Sequence, residues 1–228
     1  MLRPTLLLLA LALLGCEGPR YVTVQVEIPD LDGTLTPLRG VTVTALPFDR
    51  DSLVQVMERE RGGTRPHVAR LDSLYDAFRG PFLAYFRADQ RRAAVSDSVS
   101  KGQLPQSALD GAEAQVATAK AALSEARAAV GGPIDSLRAV VSHWEDSTYR
   151  GFDSRAKALM DTTGGKPVSD TTDSRGTTTL TLRPLPGGWW VSASSWDPLD
   201  PNRIWYWNVQ VKSDTVRLDD KTGQHRSR

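Results

Sequence analysis

The sequence contains few of the residues on which disulfides and metal sites depend. Its 228 residues include one cysteine, Cys16, and three histidines that lie far apart. A single thiol excludes an intrachain disulfide framework and any metal site built from several thiolates. The formal net charge is only +1, which gives no general electrostatic attraction to nucleic acid. We therefore expect no metal, no cofactor and no nucleic-acid partner.

Motifs of the common enzyme classes are also missing. The sequence has no Gly-x-Ser-x-Gly nucleophile elbow and no His-Glu-x-x-His zinc motif. Lys166 follows two glycines, as in a phosphate-binding loop, but Pro167 stands where that loop needs Ser or Thr. Acidic residues are abundant, and no spacing singles out two of them as a catalytic pair. We predict no catalytic residue and expect the protein not to be an enzyme.

Long hydrophobic runs are confined to the amino terminus. The almost unbroken apolar run over 6–14 is too short to cross a hydrocarbon core of about 30 Å as a helix. Its length and flanks are typical of a signal peptide, which we place at 1–15. The run ends in Leu-Leu-Gly-Cys, with Cys16 as the last residue, and this motif resembles the lipobox of bacterial lipoprotein signal peptides.

That resemblance implies lipidation of Cys16. In bacterial lipoproteins the thiol is diacylated, the chain is cut just before the cysteine, and the new amino group is often acylated too. Two or more acyl chains hold a protein stably on a membrane surface, whereas one chain does not. Glu17 follows the cysteine where lipoproteins of the inner membrane often carry Asp, which favours the outer membrane. The resemblance predicts an extracytoplasmic protein anchored to a bacterial membrane by lipid.

Six short segments of the remaining chain alternate between apolar and polar residues. These segments are 21–28, 40–45, 176–182, 189–196, 204–211 and 215–218. Alternation with turn residues between the segments predicts an antiparallel β-sandwich. The first part of this sandwich covers 16–50 and the second part 162–219, and we expect a flexible tail at 220–228.

A helical insertion over 51–161 separates the two β parts. Its apolar residues recur at alternating gaps of three and four, which predicts antiparallel helices packed at coiled-coil spacing. Lys101-Gly102 and the Gly-Gly-Pro sequence at 131–133 predict breaks between three helices. Gly80-Pro81 predicts a kink or a division of the first helix. The insertion is thus expected to form a helical hairpin or a three-helix coiled coil.

The β segments together resemble a known family. The sequences PLRGVTV at 37–43, DSRG at 173–176 and LPGGWWV at 185–191 occur in the order found in the carboxypeptidase regulatory-like, or transthyretin-like, β-sandwich domain. The resemblance covers about 85 residues in two segments. It implies an α+β protein with a transthyretin-like or Ig-like antiparallel sandwich around the insertion. It also implies a non-catalytic spacer, folding aid or adhesion module.

Aromatic residues are concentrated at 189–207. If the valine-bearing strand faces point inward, Trp189, Trp205 and Trp207 lie in the core. The opposite faces then carry the candidate ligand-binding residues Trp190, Trp196 and Tyr206. An exposed aromatic row of this kind suits stacking on a sugar ring or docking of a protein. The alternative, which we favour, is that the base of the helical insertion covers this face.

Two functions are compatible with these patterns. The first is a non-enzymatic, lipid-anchored cell-envelope protein that acts as a structural or protein-interaction module. Its partners would be the membrane, through the lipid anchor, and either an envelope protein or a second copy, through the helical insertion. The alternative is a carbohydrate-binding module that holds a glycan on the aromatic face.

Overall fold

The computed structural model of the protein describes residues 18–63 and 65–227. The predicted signal peptide and Cys16 lie outside the described residues. The described part is α+β, as predicted. Its strands are β1 (Arg20–Pro29), β2 (Leu35–Pro37), β3 (Thr42–Leu46), β4 (Val168–Thr171), β5 (Thr177–Leu182), β6 (Trp190–Asp197), β7 (Asp200–Gln210), β8 (Thr215–Leu218) and β9 (Gln224–Ser227). Its helices are α1 (Arg50–Arg61), α2 (Val68–Ser100), α3 (Gln106–Thr148) and α4 (Phe152–Thr163).

The strands form two sheets. In the first sheet, β1 pairs with β2 and β5 in antiparallel fashion and with β8 in parallel. The second sheet has the order β4-β3-β6-β7-β9, with every pair antiparallel. The parallel β1–β8 pair corrects the expectation of a wholly antiparallel sandwich. It arises because the chain crosses between the sheets after β7 and brings Thr215 opposite Thr23, near the start of β1.

A single hydrophobic core joins the two sheets. Every second residue of β1 from Val22 to Ile28 is buried, and the second sheet contributes Val43, Val191 and Ala193. The three tryptophans predicted to be core residues, Trp189, Trp205 and Trp207, are all buried in this cluster. Each fully buried aliphatic side chain, such as that of a valine or leucine, contributes about 1.5–3 kcal/mol to folding. The two-sheet arrangement therefore follows directly from the period-two pattern.

The two-sheet unit has two ends, which we name after residues. At the Arg20 end, β1 begins opposite the last residue of β5, and Trp190 at the start of β6 lies between Leu46 and Gln210. This end comprises 18–21, 46–49, 164–167, 183–189 and 210–214. At the Asp200 end, Asp197 faces Asp200 in the β6–β7 turn. This end comprises 29–34, 37–41, 171–176 and 197–200.

The segment 220–228, expected to be a flexible tail, contains an ordered strand. β9 pairs antiparallel with β7, so that Ser227 lies opposite Arg203. The turn before it is tight, because a Cβ on Gly223 would lie 2.5 Å from the indole nitrogen of Trp207. The sequence of β9 is Gln-His-Arg-Ser and has no apolar alternation. Backbone pairing and polar side chains hold this strand, so periodicity could not find it.

The helical insertion forms one long hairpin with two short helices at its base. The predicted break at Lys101-Gly102 is confirmed, since α2 ends at Ser100 and Gly102 has a φ of 70°. The predicted break at 131–133 is wrong, because α3 continues through Pro133. A proline removes one helical hydrogen bond, and burial of Ile134 and Leu137 just after it offsets that loss. Likewise, α2 continues undivided through Pro81.

The base of the hairpin is packed against itself and against α1 and α4. Leu71 and Tyr75 of α2 form a cluster with Ile134, Leu137 and Val141 of α3. A second cluster joins α1 and α4 through four buried residues: Phe48, Leu53, Met57 and Ala156. The first cluster holds α2 and α3 together, and the second holds α1 and α4 together.

The hairpin projects past the Asp200 end. The contacts of α2 with the sheets lead toward that end: Asp72 and Asp76 contact Ser227 and Arg203, which lie opposite each other. About one turn farther along α2, Arg79 contacts Asp200 in the β6–β7 turn. The rest of α2, residues 80–100, therefore extends beyond the sheets by about 30 Å at 1.5 Å per residue. The connection at 101–105, which we call the tip, lies on the opposite side of the sheets from the Arg20 end.

Candidate functional site

Tyr206 lies beneath the helices rather than on an open face. Its side chain is only 5% exposed. The hydroxyl donates a hydrogen bond to Asp51 at 2.9 Å and accepts one from Arg50 at 3.3 Å. The guanidinium carbon of Arg226 lies 3.4 Å from the centre of the ring. The base of the insertion thus covers the outer face of the second sheet at Tyr206, which is the alternative we favoured.

The other two candidate aromatics lie at opposite ends of one strand. Trp190 begins β6 and is partly buried, whereas Trp196 is 50% exposed near the Asp200 end. Trp196 is six positions after Trp190, which corresponds to about 20 Å along a strand. Tyr206, which pairs with Ser194, lies between them and is covered. The three side chains therefore form no continuous aromatic surface.

A polar cleft of about 1310 Å³ lies between the second sheet and the helical base. Hydroxyl groups of the sheet, including those of Thr44, Ser192 and Ser194, form part of its lining. The facing side contains charged side chains from the helices and from β9. The chemistry of this cleft depends on how those charges are paired.

The charged groups of the cleft are paired with each other. The phenol of Tyr149 donates to Glu58 at 2.7 Å, and Arg65 lies 2.9 Å from Glu145. Burial and the neighbouring Glu58 carboxylate raise the pKa of Tyr149, so it remains a neutral donor at physiological pH. These contacts connect α1, α3 and the segment between α1 and α2. They fasten the helices together and leave little unsatisfied charge to recruit a ligand.

A buried ionic joint connects the hairpin to the β6–β7 turn. Asp200 is fully buried, and one of its oxygens lies 3.6 Å from Arg203 and 4.0 Å from Arg79. Arg203 also donates to Asp76 at 3.0 Å, and Arg138 of α3 donates to Asn202 at 3.2 Å. The hairpin therefore joins the sheets here through charged and polar contacts rather than through a hydrophobic interface.

Burial raises the pKa of the Asp200 carboxyl above its ordinary value. The backbone N–H of Asn202 and the two arginines Arg203 and Arg79 oppose this shift, and burial outweighs them. The backbone N–H of Asn202 donates to Oδ1. The Oδ2 atom, which is the one near the two arginines, accepts no hydrogen bond from any residue in the described ranges. The charge of Asp200 is thus stabilised by long ion pairs alone on that side.

His225 is the histidine closest to this joint. Its Nε2 atom lies 2.9 Å from the buried Asp197, and its ring lies 3.9 Å from that of Trp205. Within residues 18–63 and 65–227, no group of three His, Cys, Asp or Glu side chains is arranged to hold a metal ion. The pairing of His225 with Asp197 fastens β9 to the β6–β7 turn.

The distal hairpin is the most exposed part of the molecule. Between residues 80 and 131, which the structure describes in full, Ala112 alone is buried. Phe78, Phe82 and Phe86 stack in a row along α2, with ring centres 6.3 and 6.2 Å apart, and all three are only partly buried. Leu104 at the tip is 41% exposed. This part of the hairpin consists of two helices with no third element against them.

Sequence reasoning did not find the ionic joint. Its partners are distant in the chain, since Arg203 contacts residues of α2 more than 120 positions earlier. The only local signal was the pair of acidic residues in the turn Asp197-Pro198-Leu199-Asp200, and an acidic turn is common at any surface. Ion pairs between elements have no sequence period, which is why the joint appears only in the folded chain.

Two general findings bear on the site. No helix in the part of the chain that the structure covers is both long enough and apolar enough to span a membrane. Comparisons with protein families, with curated proteins and with solved structures found no match to this chain.

Proposed function

We propose that this protein is a non-enzymatic, lipid-anchored component of the bacterial cell envelope that presents its helical hairpin to a protein partner. One observation carries the proposal: the Arg20 end and the hairpin tip lie on opposite sides of the two sheets. An anchor close to Arg20 would therefore direct the hairpin away from the membrane.

The proposed anchor at Cys16 is close to the sheets in sequence. Three residues lie between Cys16 and Arg20, the first residue of β1, so the two positions are at most about 14 Å apart. The two-sheet unit is about 36 Å long, judged by the 11 residues of β7 at about 3.3 Å each. With the projecting helices added, the tip would lie roughly 65 Å from the anchored end. That distance suits contact across the envelope, with the outer membrane as the proposed location.

We also infer that the two-sheet unit is a transthyretin-like domain of the carboxypeptidase regulatory-like family. The motif at 173–176 supports this inference, because Gly176 has a φ of 69° and lies against β1. A Cβ at that position would lie 2.6 Å from the backbone oxygen of Val26, so glycine is required there. Domains of this kind serve as rigid spacers, which agrees with a role in carrying the hairpin.

The hairpin is the part best suited to bind a protein. Two isolated helices bury few side chains, and the partly exposed phenylalanines of α2 would gain from further burial. Either an envelope protein or a second copy of this chain would supply the missing surface. Tyr206 is buried, and Trp190 and Trp196 lie at opposite ends of β6. These side chains therefore do not form the continuous aromatic surface that the carbohydrate-binding alternative requires. We therefore favour the protein-interaction role.

In-cell crosslinking tests this proposal. The full lipoprotein is compared with a variant in which residues 84–128 are replaced by a short Gly/Ser loop, which keeps the base cluster of Leu71, Tyr75 and Ile134. We expect a reproducible crosslinked partner, or a crosslinked dimer, that is lost in the shortened variant. Far-ultraviolet circular dichroism and membrane fractionation establish that the shortened protein folds and reaches the membrane. Retention of the same crosslinked species would assign the contact to the sheets instead.

A point substitution sharpens this test. Leu104→Ser changes an exposed residue at the tip, and Leu35→Ser changes a similarly exposed residue on the two-sheet unit. If the tip makes the contact, the first substitution weakens crosslinking and the second does not. Equal loss in both variants would contradict a specific role for the tip.

A further inference from the structure

The two ends of the two-sheet unit differ in charge. The segments of the Arg20 end contain four basic residues, namely Arg20, Lys166, Arg183 and Lys212, and two acidic residues, Asp49 and Asp214. The segments of the Asp200 end contain two basic residues, namely Arg39 and Arg175, and five acidic residues, namely Asp30, Asp32, Asp173, Asp197 and Asp200. The Arg20 end is therefore net positive and the opposite end is net negative, although the chain as a whole is almost neutral.

The positive charge at the Arg20 end is available to a ligand. Its two acidic residues are already engaged, since Asp49 caps α1 and Asp214 pairs with Arg20. Lys166, Arg183 and Lys212 are exposed, and none of the three forms an ion pair with any residue of the described ranges. Three unpaired cations on one end of a small domain create a local positive potential.

These cations belong to one continuous surface. Arg183 follows Leu182, which lies opposite Arg20, and the backbone N–H of Val211 donates to the carbonyl of Trp189 at 2.8 Å. The loop containing Lys166 is held against this group, because a Cβ on Gly165 would lie 2.7 Å from Leu185. The turns that contain Arg183, Lys212 and Lys166 are therefore packed side by side.

An exposed aromatic side chain lies on the same end. Tyr21 is 66% exposed, the largest value among the exposed large hydrophobic side chains of the described residues. A tyrosine next to Lys and Arg side chains is typical of surfaces that contact the headgroup region of a bilayer, where the ring meets the interface and the cations meet phosphates. The chemistry of this end thus matches an anionic lipid surface.

We propose that the Arg20 end is a docking surface for anionic lipid headgroups, with Lys166, Arg183 and Lys212 contacting headgroup phosphates and Tyr21 lying at the interface. This inference rests on the proposed lipid anchor at Cys16, which brings this end to the bilayer. The net negative Asp200 end is repelled by the same surface. Acyl chains alone would tether the domain in any orientation, whereas this charge asymmetry selects the orientation in which the hairpin points outward.

A fluorescent reporter tests the contact. Full-length acylated Tyr21→Trp protein is incorporated into vesicles of phosphatidylethanolamine with 30% phosphatidylglycerol, or into vesicles of phosphatidylcholine alone, each containing a lipid with a quencher near the headgroup. The acylated wild type supplies the signal of the native tryptophans. We expect additional quenching at position 21 on the anionic vesicles, and we expect high salt to reduce it.

Charge variants provide the matched control. The triple variant Lys166→Gln/Arg183→Gln/Lys212→Gln in the reporter background should reduce the ratio of docked to undocked protein by roughly tenfold or more. The triple variant Arg39→Gln/Arg175→Gln/Lys221→Gln removes the same number of charges from exposed positions outside the Arg20 end and should leave quenching unchanged.

Flotation of the vesicles separates the two proposals. If the protein floats with the vesicles but shows equal quenching on both compositions, or equal loss in both triple variants, headgroup docking is overturned. The lipid anchor is then still supported. If the protein does not float with the vesicles, both the lipid anchor and headgroup docking are overturned.

Discussion

The two-sheet unit and the helical hairpin are stabilised in different ways. The sheets share a hydrophobic core to which both contribute fully buried side chains. The hairpin has one small cluster at its base and, farther out, a seam in which Ala112 is the only buried residue. Alternation in strands buries one complete face, whereas a seam between only two helices leaves most of each helix in water. The sheets should therefore hold their structure when the hairpin does not.

The junction between these regions is stabilised neither by a sheet core nor by a seam between helices. It is built from Asp200, Arg203 and the residues of α2 that face them, and these contacts are charged. Charged contacts set an orientation without adding much net stability, since the cost of desolvation offsets the attraction. The difference between the regions predicts that changes to the sheet core affect the whole molecule and that changes to the hairpin stay local.

The largest effect is expected from Trp207→Ala. Trp207 is fully buried, and its indole N–H donates to the carbonyl of Asp219 at 2.8 Å. Removing a core tryptophan typically costs about 3–5 kcal/mol, and urea unfolding monitored by circular dichroism measures the loss. Trp196→Ala, at a half-exposed position, should cost well under half of that. A similar loss in both variants would mean that the sheet core is not the main source of stability.

Tyr75→Ala should give a smaller and more local effect. The side chain is fully buried in the base cluster, and its hydroxyl accepts a hydrogen bond from Arg138 at 2.8 Å. We expect a loss of about 3 kcal/mol that appears in hydrogen exchange of α2 and α3. Exchange in β1 and β6 should change little.

Tyr75→Phe is the control for that variant. It keeps the ring and removes only the hydroxyl, so its cost should be about 1 kcal/mol. If Tyr75→Ala reduced protection in the strands as much as in the helices, the two regions would be one cooperative unit, contrary to the comparison above.

Asp200→Asn tests the junction through its pH dependence. Because burial raises the pKa of Asp200 in the folded state, the folded protein holds this proton more tightly than the unfolded chain does. Ionisation of Asp200 therefore lowers the free energy of unfolding as pH rises from about 4 through the raised pKa. The asparagine side chain does not ionise, so the variant lacks this destabilisation. Its free energy of unfolding relative to the wild type should therefore increase between pH 4 and pH 7.

Urea titrations of both proteins at the two pH values measure this difference. Arg175→Gln, an exposed change at the same end, should show no such trend relative to the wild type. A relative decline of the Asn variant with rising pH would mean that the arginines outweigh burial at the joint.

The smallest effect is expected in the distal hairpin. Gly111 lies inside α3 with open space where a Cβ would be, so Gly111→Ala should stabilise that helix by about 0.5–1 kcal/mol. Slower hydrogen exchange near the tip would report it. Gly102→Ala is the counterpart: Gly102 has a φ of 70°, and alanine there should speed exchange instead. Global unfolding should barely change in either variant.

The same contrast explains how much the sequence could predict. Alternation correctly placed Trp189, Trp205 and Trp207 in the core, because strand period and burial are directly linked. The helical period and the break at Lys101-Gly102 were equally readable. Pro133 was misleading, since the burial that offsets its lost hydrogen bond depends on residues of the other helix.

The candidate site was less predictable than the fold. Tyr206 shares a face with Trp196 by alternation, but only the packed helices decide that one is covered and the other exposed. β9 and the ionic joint depend on pairings between polar residues that are far apart in the chain. Polar contacts of this kind have no period, so the three-dimensional arrangement had to supply them.

Pairing between β3 and β4 has a consequence for how the chain folds. These neighbouring strands are separated by about 120 residues, and closing an unstructured loop of that length costs roughly 4 kcal/mol of chain entropy. The hydrogen bonds within each of the helices α2 and α3 are local, so we expect these helices to form early. Once α1 and α4 meet through Arg155 and Glu60, the two strand ends are only a few flexible residues apart. We therefore expect the insertion to bring these two strands together during folding, and the second sheet to nucleate only after its helices have assembled.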